Sequence, residues 1–512
     1  IAINLTMQNR GLPIGYVITC GNQAQTSQSD VGLYLLDDPR VSAIGLHVEG
    51  FGDLRGWETL ARKAHDKNIP LIALKSGKTE QAQAAAVSHT ASLSGSDAGA
   101  QALLERLGIR RAHSLPVFLE ALKLSHQFGQ LTSNRIASIS CSGGEAALTA
   151  DTAHTTKLTF PPLNSGQRTG LSTALGPMVA LANPLDYHTY IWRNEALMAQ
   201  AWAAMADPDI ALTLLISDYP RADICDPSDW DCVTNAAIAA AQQTKRPYAV
   251  VASLAELMPE HIAKTLMANG VAAINGLDHG IQAIDLLTRE LTKDLNPIIL
   301  PGVDRDAKLI DEHAAKQNLA HHGLSVPRGV TVLDRTEAAK AATTIGFPVA
   351  LKVLGLAHKT GSNGLILDLK SSEEVNAALL NLAPGRVLIE HMIVGTVTEL
   401  LVGVIRDPAH GFVLTIAAGG TMTELLSDRA NLLVPASRKH LTTALNSLRI
   451  APLFHGYRGK PHINFDALLD AIDALQSYVL ANASSLEEVE INPLICTAQT
   501  AIAVDALIRK TQ

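Results

Sequence analysis

The sequence has few aromatic residues, few cysteines and no long hydrophobic run. Aromatic residues make up 4% of the 512 residues, and the five cysteines lack the paired spacing of a disulfide framework or a zinc site. No apolar run reaches the roughly 20 residues that cross a bilayer. We therefore expect a globular protein of the reducing cytoplasm, without a membrane-spanning segment.

An excess of positive charge is also absent. Lys and Arg number 41 against 49 Asp and Glu, which gives a formal net charge of −8. Binding to nucleic acid needs a basic face that neutralises phosphates, so nucleic acid is not an expected partner. The chain opens with IAINLTMQNR, which has neither an initiator Met nor a signal-peptide pattern. This opening predicts that residue 1 lies inside a domain whose first strand precedes it.

Short apolar runs alternate with helical patterns through the first 290 residues. The runs with strand character are 15–20, 41–48, 70–74, 135–140, 211–216 and 248–253. Such alternation is typical of βαβ units and parallel sheets. A polar stretch near residue 130 divides the pattern, so we predict two doubly wound domains, over 1–130 and 133–292.

The pattern changes after a proline-containing linker at 295–303. Strand runs at 348–354, 386–390, 398–405 and 412–417 follow one another more directly. This order predicts a third domain over 300–512, of the α+β class with antiparallel strands.

A histidine lies in a loop of small residues. His89 stands in AAAVSHTASLSGSD, where Ser, Thr and Gly let a phosphate approach and where imidazole is a nucleophile at neutral pH. The same composition is also typical of a surface histidine in a serine-rich loop. Glu49 follows a predicted strand in HVEGFGD, where a carboxylate can orient a histidine or simply cap a helix.

Two glycines separate a predicted strand from a helix. Ser142, Gly143 and Gly144 lie in SCSGGE, and the backbone N–H groups of such a helix start form an anion site. An ordinary strand-to-helix turn accounts for the same residues.

Polar residues recur on the strands of the third domain. Lys352 lies in VALKVL and Glu390 in VLIEH, where a lysine in an apolar strand points to a ligand or a partner. EVEINP and the Asp505 of AIAVDA add oxygen ligands on two strands. Together these residues predict a nucleotide and magnesium site.

The order of these motifs resembles that of the ADP-forming acyl-CoA synthetases, relatives of succinyl-CoA synthetase. The most specific segments are SHTASLSGSD and the run from PVALKVLGLAHKT to EVEINPL. The resemblance implies an α/β chain in which two flavodoxin-like domains precede an ATP-grasp domain. It also places a CoA-binding unit ahead of residue 1.

The resemblance implies roles for individual residues. His89 matches the residue that carries phosphate, Glu49 the glutamate that orients it, and Glu490 the acid that helps its phosphorylation by ATP. The matching binding residues are Ser142, Gly143 and Gly144 for phosphate, Lys352 and Glu390 for nucleotide, and Asn492 and Asp505 for magnesium.

The function implied is the ligation of a small carboxylic acid to CoA, with ATP converted to ADP and phosphate through a phosphohistidine and an acyl phosphate. ATP, Mg²⁺ and CoA are the expected cofactor and substrates, and a homo-oligomer is left open. Three alternatives remain: a lyase that converts dimethylsulfoniopropionate to dimethyl sulfide and acryloyl-CoA, an acyl-CoA-sensing or acyltransferase-associated protein, and an ATP-grasp ligase without a phosphohistidine.

The scarce aromatic residues cluster at one place. Tyr187, Tyr190 and Trp192 lie in NPLDYHTYIW, which resembles the NPxD turn of the family. Such rings stack on an aromatic acid or hold a cationic one, so they are candidates for the acid site. Packing in an interface core is the alternative.

Overall fold

The fold is that of a computed structural model, which describes residues 2–79, 81–82, 95–289, 296–300, 306–354, 364–420 and 428–511. The described residues form two compact units. The first unit contains those within 1–94 and 107–293, and the second contains those within 95–106 and 294–512. The predicted domain boundaries stay a prediction.

Helices are distributed along the whole described chain. They are α1 (Ala2–Thr6), α2 (Gln28–Leu35), α3 (Leu54–Asp66), α4 (Asp97–Arg106), α5 (Leu115–Phe128), α6 (Gly143–Ala153), α7 (Ser165–Leu175), α8 (Glu195–Met205), α9 (Asp231–Thr244), α10 (Glu260–Ala268), α11 (Leu277–Thr288), α12 (Glu312–Ala320), α13 (Ala338–Ile345), α14 (Ser372–Asn381), α15 (Arg438–Ser447), α16 (Ala451–Phe454) and α17 (Phe465–Asn482).

The strands form separate sheets in the two units. They are β1 (Ile44–Val48), β2 (Leu71–Lys75), β3 (Arg110–Ala112), β4 (Ile136–Ser140), β5 (Leu185–Asp186), β6 (Leu212–Ile216), β7 (Tyr248–Ala252), β8 (Val271–Asn275), β9 (Lys308–Ile310), β10 (Gly329–Val332), β11 (Val349–Val353), β12 (Leu365–Leu369), β13 (Val387–His391), β14 (Thr398–Asp407), β15 (Gly411–Ala418), β16 (Arg429–Leu433), β17 (Leu486–Cys496), β18 (Ala501–Ala503) and β19 (Ala506–Lys510).

The first sheet of the first unit is parallel, in the order β1-β2-β3. Helix α3 follows β1 along the chain, and begins where the Asp53 carboxylate accepts hydrogen bonds from the N–H groups of Arg55 and Gly56. Its apolar residues recur at helical spacing, so one face is buried; those residues are Leu54, Trp57, Leu60, Ala61 and Ala64.

The second sheet is also parallel, in the order β5-β4-β6-β7-β8. Every residue of β4, β6, β7 and β8 is buried, as expected for a parallel sheet with helices on both faces. The chain order reverses at β4, and in such flavodoxin-like sheets ligands bind beyond the carboxyl ends of the strands at this point. The predicted loop at 142–144 follows β4.

The prediction of a strand at 15–20 is wrong. These residues form neither helix nor strand. Tyr16 and Ile18 are 43% and 50% exposed, and Ile14, just before the run, is 39% exposed. They line a cavity of about 910 Å³ beside β1. A run rich in Tyr, Val, Ile and Thr becomes a strand only where a neighbouring strand pairs with it, and β1 pairs only with β2 in the described part of the chain.

A buried polar cluster joins helix α5 to the second sheet of the first unit. Glu120 and Lys123 of α5 are 0% exposed, and Lys123 Nζ lies 2.8 Å from Glu120 Oε2. Arg10 Nη1 donates to Glu120 Oε1 at 2.6 Å, and Lys123 donates to Asn275 Oδ1 at 2.7 Å. Because Asn275 ends β8 of the second sheet, the cluster links that sheet to α5 and to the segment before α2.

The second unit contains two mainly antiparallel sheets. One has the order β10-β13-β11-β12, and the other has β16-β15-β14-β17-β19-β9 with β18 paired to β17. Helix α4 belongs to this unit: Arg106 at its end donates to the carbonyl oxygens of Leu433 and Pro435 at 3.0 and 2.7 Å. The parallel sheets of the first unit and this α+β arrangement confirm the predicted fold class.

Across the described residues, every helix is too short or too polar to cross a lipid bilayer.

Candidate active site

Lys352 and Glu390 lie together in a buried charge network of the second unit. They project from the neighbouring strands β11 and β13, and are 6% and 3% exposed. Lys352 Nζ lies 3.1 Å from Glu390 Oε2 and 2.9 Å from Glu312 Oε1. The two residues predicted to contact nucleotide are therefore already paired within the protein.

Two members of this network were missed by the sequence analysis. Glu312 and Lys316 lie on α12, with Lys316 Nζ 2.8 Å from Glu312 Oε1 and also bonded to Glu390. Burial and the charge of Lys352 together lower the pKa of Lys316 to about 8, although the charge of Glu390 opposes the shift. A Glu and a Lys four residues apart are usual on an exposed helix face, so the sequence carried no sign of their burial.

The predicted magnesium ligands lie beside the same network. Asn492 is on β17, and Asp505 lies between β18 and β19, which both pair with β17. The Asn492 N–H donates to the Asp505 carbonyl at 3.3 Å. The carbonyl oxygen of the preceding residue, Val504, accepts hydrogen bonds from Lys316 at 3.1 Å and from Lys352.

Glu490 lies close to the two predicted magnesium ligands, Asn492 and Asp505. Burial raises the pKa of Glu490, and the carboxylates of Glu488 and Asp505 raise it further, while a hydrogen bond with Asn492 opposes the shift. A carboxyl group with a raised pKa near a phosphate site is suited to handling a proton.

The donor set suits Mg²⁺ held together with a nucleotide. Asp505 offers carboxylate oxygens and Asn492 an amide oxygen, the hard donors that this ion prefers. Within the described ranges, no three His, Cys, Asp or Glu side chains are grouped to hold a metal by themselves. Magnesium that keeps one or two protein ligands completes its shell with phosphate oxygens and water, so the residues fit.

Glu49 lies in the first unit, directly after β1. Its backbone carbonyl accepts a hydrogen bond from the buried Lys75 at 2.9 Å, and Lys75 ends the adjacent strand β2. His47 Nε2 lies 2.8 Å from Ser76 Oγ. Burial lowers the pKa of His47. The negative charge of Glu49 opposes this shift, whereas the positive charge of Lys75 adds to it. The strand ends thus place a histidine and a lysine, neither of them predicted, next to Glu49.

The predicted phosphate loop begins α6. Ser142 is the N-cap residue without a side-chain cap bond, and Gly143 and Gly144 start the helix with exposed backbone. A Cβ atom on Gly143 would lie 3.1 Å from Asp186 Oδ2, so a side chain here would press on that carboxylate. The loop therefore lies at the carboxyl end of β4, where the sequence analysis expected an anion.

Acidic side chains surround this loop. Burial, together with the nearby charges of Asp218 and Asp186, raises the pKa of Glu145 to about 7. The Asp218 carboxylate accepts hydrogen bonds from the Ser253 N–H and hydroxyl at 2.6 and 2.5 Å. The sequence pattern predicted an anion site but not this group of acids, because Asp186 ends β5 and Asp218 follows β6, far from the loop in sequence.

Family models match two regions of the chain. The succinyl-CoA ligase like flavodoxin domain matches residues 1–125, and an ATP-grasp domain matches residues 303–509. A trans-feruloyl-CoA synthase of an unknown prokaryotic organism is 27% identical over 98% of this chain and 73% of its own length. The ADP-forming acetate–CoA ligase of Methanocaldococcus jannaschii is 25% identical over 94% and 73%.

Over nearly its whole length, the chain is similar to ADP-forming acyl-CoA ligases. A further relative is the ADP-forming 4-hydroxybutyrate–CoA ligase of Nitrosopumilus maritimus, 24% identical over 95% of this chain and 72% of the relative. Among solved structures, acetyl-coenzyme A synthetase 1 of Ca. Korarchaeum cryptofilum in complex with phosphate and ADP has a TM-score of 0.48 and 19% identity. That match covers 56% of this chain and 61% of the other.

The histidine that the family resemblance singles out, His89, lies outside the described residues. The chain resumes at Gly95 in the second unit, where the Ser96 N–H and hydroxyl donate to Asp407 Oδ2 at 2.8 and 2.7 Å. Burial raises the pKa of Asp407, but hydrogen bonds from His410 and Ser96 outweigh this effect and hold that pKa well below its usual range. Gly95 has φ +59°, and a Cβ there would lie 2.3 Å from His410 Cε1, so this position requires glycine.

The three aromatic candidates do not form one surface. Tyr187 is 3% exposed in the core of the first unit, and burial raises the pKa of its phenol well above the usual range. Tyr190 is 62% exposed, and Trp192 packs edge-on against Trp230 with ring centroids 5.4 Å apart. Tyr187 therefore packs in the core, whereas an acid-binding role for Tyr190 and Trp192 stays a prediction.

Glu145 gives a pH-dependent prediction. Its pKa is higher in the folded state than the usual 4.5, so the folded state binds more protons and stability falls as pH rises between 4.5 and about 7. We expect Glu145→Gln to raise the free energy of unfolding at pH 8 by about 1 kcal/mol, after allowance for screening at this half-exposed site, with no gain at pH 4.5.

Urea unfolding followed by tryptophan fluorescence checks this expectation, because Trp57, Trp192, Trp202 and Trp230 all belong to the first unit. Asp151→Asn, at an exposed position of the same helix, is the matched control and should change neither value. A gain of equal size at both pH values would contradict the raised pKa.

Proposed function

We propose that this protein joins a carboxylic acid to CoA while converting ATP to ADP and phosphate, with His89 as the phosphoryl carrier. The observation that carries the proposal is the meeting of Lys352 and Glu390 with the strand segment of Asn492 and Asp505. These residues come from two sheets of the second unit, and Val504 links them through hydrogen bonds to Lys316 and Lys352. Lysine ammonium groups beside oxygen ligands for a metal are what a nucleotide polyphosphate requires.

The proposed reaction has three displacements that balance. A ring nitrogen of His89 attacks the γ-phosphorus of ATP, the bond to the bridging oxygen breaks and ADP leaves. A carboxylate oxygen of the acid then attacks the phosphorus, which frees the histidine and forms an acyl phosphate. The thiolate of CoA attacks the acyl carbon, and phosphate leaves as the thioester forms. Division into such steps replaces one difficult displacement with easier ones.

Each candidate residue has one task in this scheme. Glu490, with its raised pKa, manages the proton of His89 during attack on ATP. Glu49 orients the imidazole for transfer to the acid. Asn492 and Asp505 would hold magnesium, which would supply charge neutralisation for the phosphoryl group. The helix start at 142–144 donates backbone N–H groups to the transferred phosphate, and the acids beside it favour a protonated, less negative anion.

The acids to test come from the relatives. Members of the family are named for ferulate, acetate and 4-hydroxybutyrate. Ferulate is aromatic, whereas acetate and 4-hydroxybutyrate are small and aliphatic. A preference for ferulate would therefore indicate an acid site lined by aromatic rings, and a preference for the other two would indicate a site without them. Trp192, packed on Trp230 at the edge of the core, is the ring we propose for an aromatic acid.

The test measures ADP and phosphate release with Mg²⁺, ATP, CoA and each acid in turn, together with thioester formation. We expect one ADP, one phosphate and one thioester per turnover, and release that requires both CoA and the acid. Release of AMP and pyrophosphate, or hydrolysis of ATP that ignores the acid, would contradict the proposed function. Detection of acryloyl-CoA from dimethylsulfoniopropionate would favour the lyase instead.

The metal site gives a separate prediction. We expect Asp505→Asn to raise the Mg²⁺ concentration for half-maximal protein labelling by γ-labelled ATP about tenfold, because a carboxylate charge is lost from the site. Asp470→Asn, an exposed acid of α17 in the same unit, is the control and should leave the Mg²⁺ dependence unchanged. An Asp505→Asn protein with the wild-type Mg²⁺ dependence would remove this residue from the site.

A further inference from the structure

Four charged side chains of the second unit form a buried set whose formal charges cancel, and the nearby carboxylate of Asp505 also acts on Lys316. Lys316 and Lys352 supply two positive charges, and Glu312 and Glu390 supply two negative ones. Their exposures are 1%, 6%, 7% and 3%, and each lysine contacts both glutamates. Burial of any one of these charges without its partners would cost several kcal/mol, so the set is stable only as a balanced group.

The set leaves Lys352 with competing partners. Its ammonium group donates hydrogen bonds to Glu312 Oε1 at 2.9 Å and to the Val504 carbonyl oxygen, and it forms an ion pair with Glu390 Oε2 at 3.1 Å. A nucleotide phosphate that draws Lys352 toward it weakens these interactions. Glu312 therefore competes with the phosphate, whereas Lys316 can take over the glutamates that Lys352 releases, because it already contacts both.

We propose that Glu312 and Lys316 are positioning residues that set the nucleotide affinity of the site with opposite sign. Lys316 supports polyphosphate binding because it neutralises Glu312 and Glu390 when Lys352 binds the phosphate instead of them. Glu312 weakens polyphosphate binding because its ion pair with Lys352 competes with the phosphate. The inference rests on the proposed function, because it takes the Lys352 cleft to be the nucleotide site.

The two residues then give opposite results when neutralised. Lys316→Met leaves one positive charge among two glutamates, and a net negative cluster repels the phosphates. Glu312→Gln leaves a net positive cluster and removes the competitor. One unit charge at several ångströms from a phosphate changes affinity about tenfold at the effective dielectric constant of such sites. The double variant restores neutrality.

The experiment is isothermal titration calorimetry of the whole protein with Mg-ADP, AMP and adenosine. For Mg-ADP we expect Kd to rise about tenfold in Lys316→Met, to fall severalfold in Glu312→Gln and to return to within about threefold of wild type in the double variant. The effects should shrink for AMP and vanish for adenosine, which carries no phosphate. Lys340→Met, an exposed lysine of α13 in the same unit, is the charge-matched control and should change none of these values.

A purely structural role predicts a different result. If both single variants weaken Mg-ADP, AMP and adenosine by similar factors, the pair only supports the fold and the inference is overturned. If Lys316→Met is not recovered folded, Glu312→Gln decides alone: tighter Mg-ADP binding supports the inference, and unchanged or weaker binding overturns it. Absence of Mg-ADP binding in the wild-type protein would instead overturn the nucleotide site of the proposed function.

Discussion

Replacement of His89 by alanine is expected to lower the rate of protein labelling by γ-labelled ATP by about 10⁴-fold or more, because the nucleophile that accepts the phosphoryl group is lost. In the wild-type protein the label should be lost in acid and retained in base, as for a phosphorus–nitrogen bond. The measurement is the time course of protein-bound label, with acid and base treatment of each sample.

Two controls make this result specific to His89. His154→Ala, at an exposed position after α6, removes a histidine away from the small-residue loop and should label as wild type. Serine and threonine flank His89 in SHTASLSGSD, and a phosphate ester on a hydroxyl group would survive acid. Acid-labile label that persists at the wild-type rate in His89→Ala would overturn the phosphohistidine, and acid-stable label would indicate a hydroxyl acceptor.

Replacement of Lys123 by methionine is expected to lower the free energy of unfolding of the first unit by about 3–5 kcal/mol. Glu120 would keep its charge at 0% exposure, and would lose the ammonium group that lies 2.8 Å from its Oε2 atom. Its remaining partners are Arg10 and the Asn275 N–H at 2.6 and 3.2 Å. Urea unfolding by tryptophan fluorescence measures the change, because all tryptophans belong to this unit.

The double variant Glu120→Gln with Lys123→Met should be less destabilised than Lys123→Met alone, because no unpaired charge stays buried. Lys264→Met breaks an ion pair with Glu260 whose side chains are 66% and 45% exposed, and should change stability by less than about 0.5 kcal/mol. Equal losses for Lys123→Met and Lys264→Met would show that the buried cluster contributes no more than a surface pair.

The strands that were predicted correctly carry their own signal. The runs at 41–48, 70–74, 135–140 and 248–253 are strands at Ile44–Val48, Leu71–Lys75, Ile136–Ser140 and Tyr248–Ala252. Each is a short apolar run between polar residues, as a buried parallel strand requires. The run at 15–20 has similar composition and is not a strand, because pairing depends on a neighbour that composition does not reveal.

The sequence predicted the positions of some candidate residues and not of others. Motifs place Glu49, Lys352, Asn492 and Asp505 at a strand, a strand end or a short link between strands, and the structure has them there, while their roles stay predictions. Lys316 was not predicted, although it lies on a clear helix. Its partner Glu390 is 74 residues away and Val504 is 188 residues away, and only those contacts distinguish it from an exposed helical lysine.

The sequence by itself predicted the order of parallel and antiparallel regions and the resemblance to ADP-forming acyl-CoA ligases, because these depend on local periodicity and on short motifs. The roles of the candidate residues stay predictions. The tertiary structure alone decided which charges are buried together and how their pKa values shift. Glu145 has a pKa of about 7 because it is buried and because the charges of Asp218 and Asp186, from distant parts of the sequence, add to the shift. Lys316, Lys352, Glu312 and Glu390 form one neutral set because two strands and a helix meet there. Coulomb interaction and desolvation depend on distance through space, and that distance is fixed only when the chain has folded.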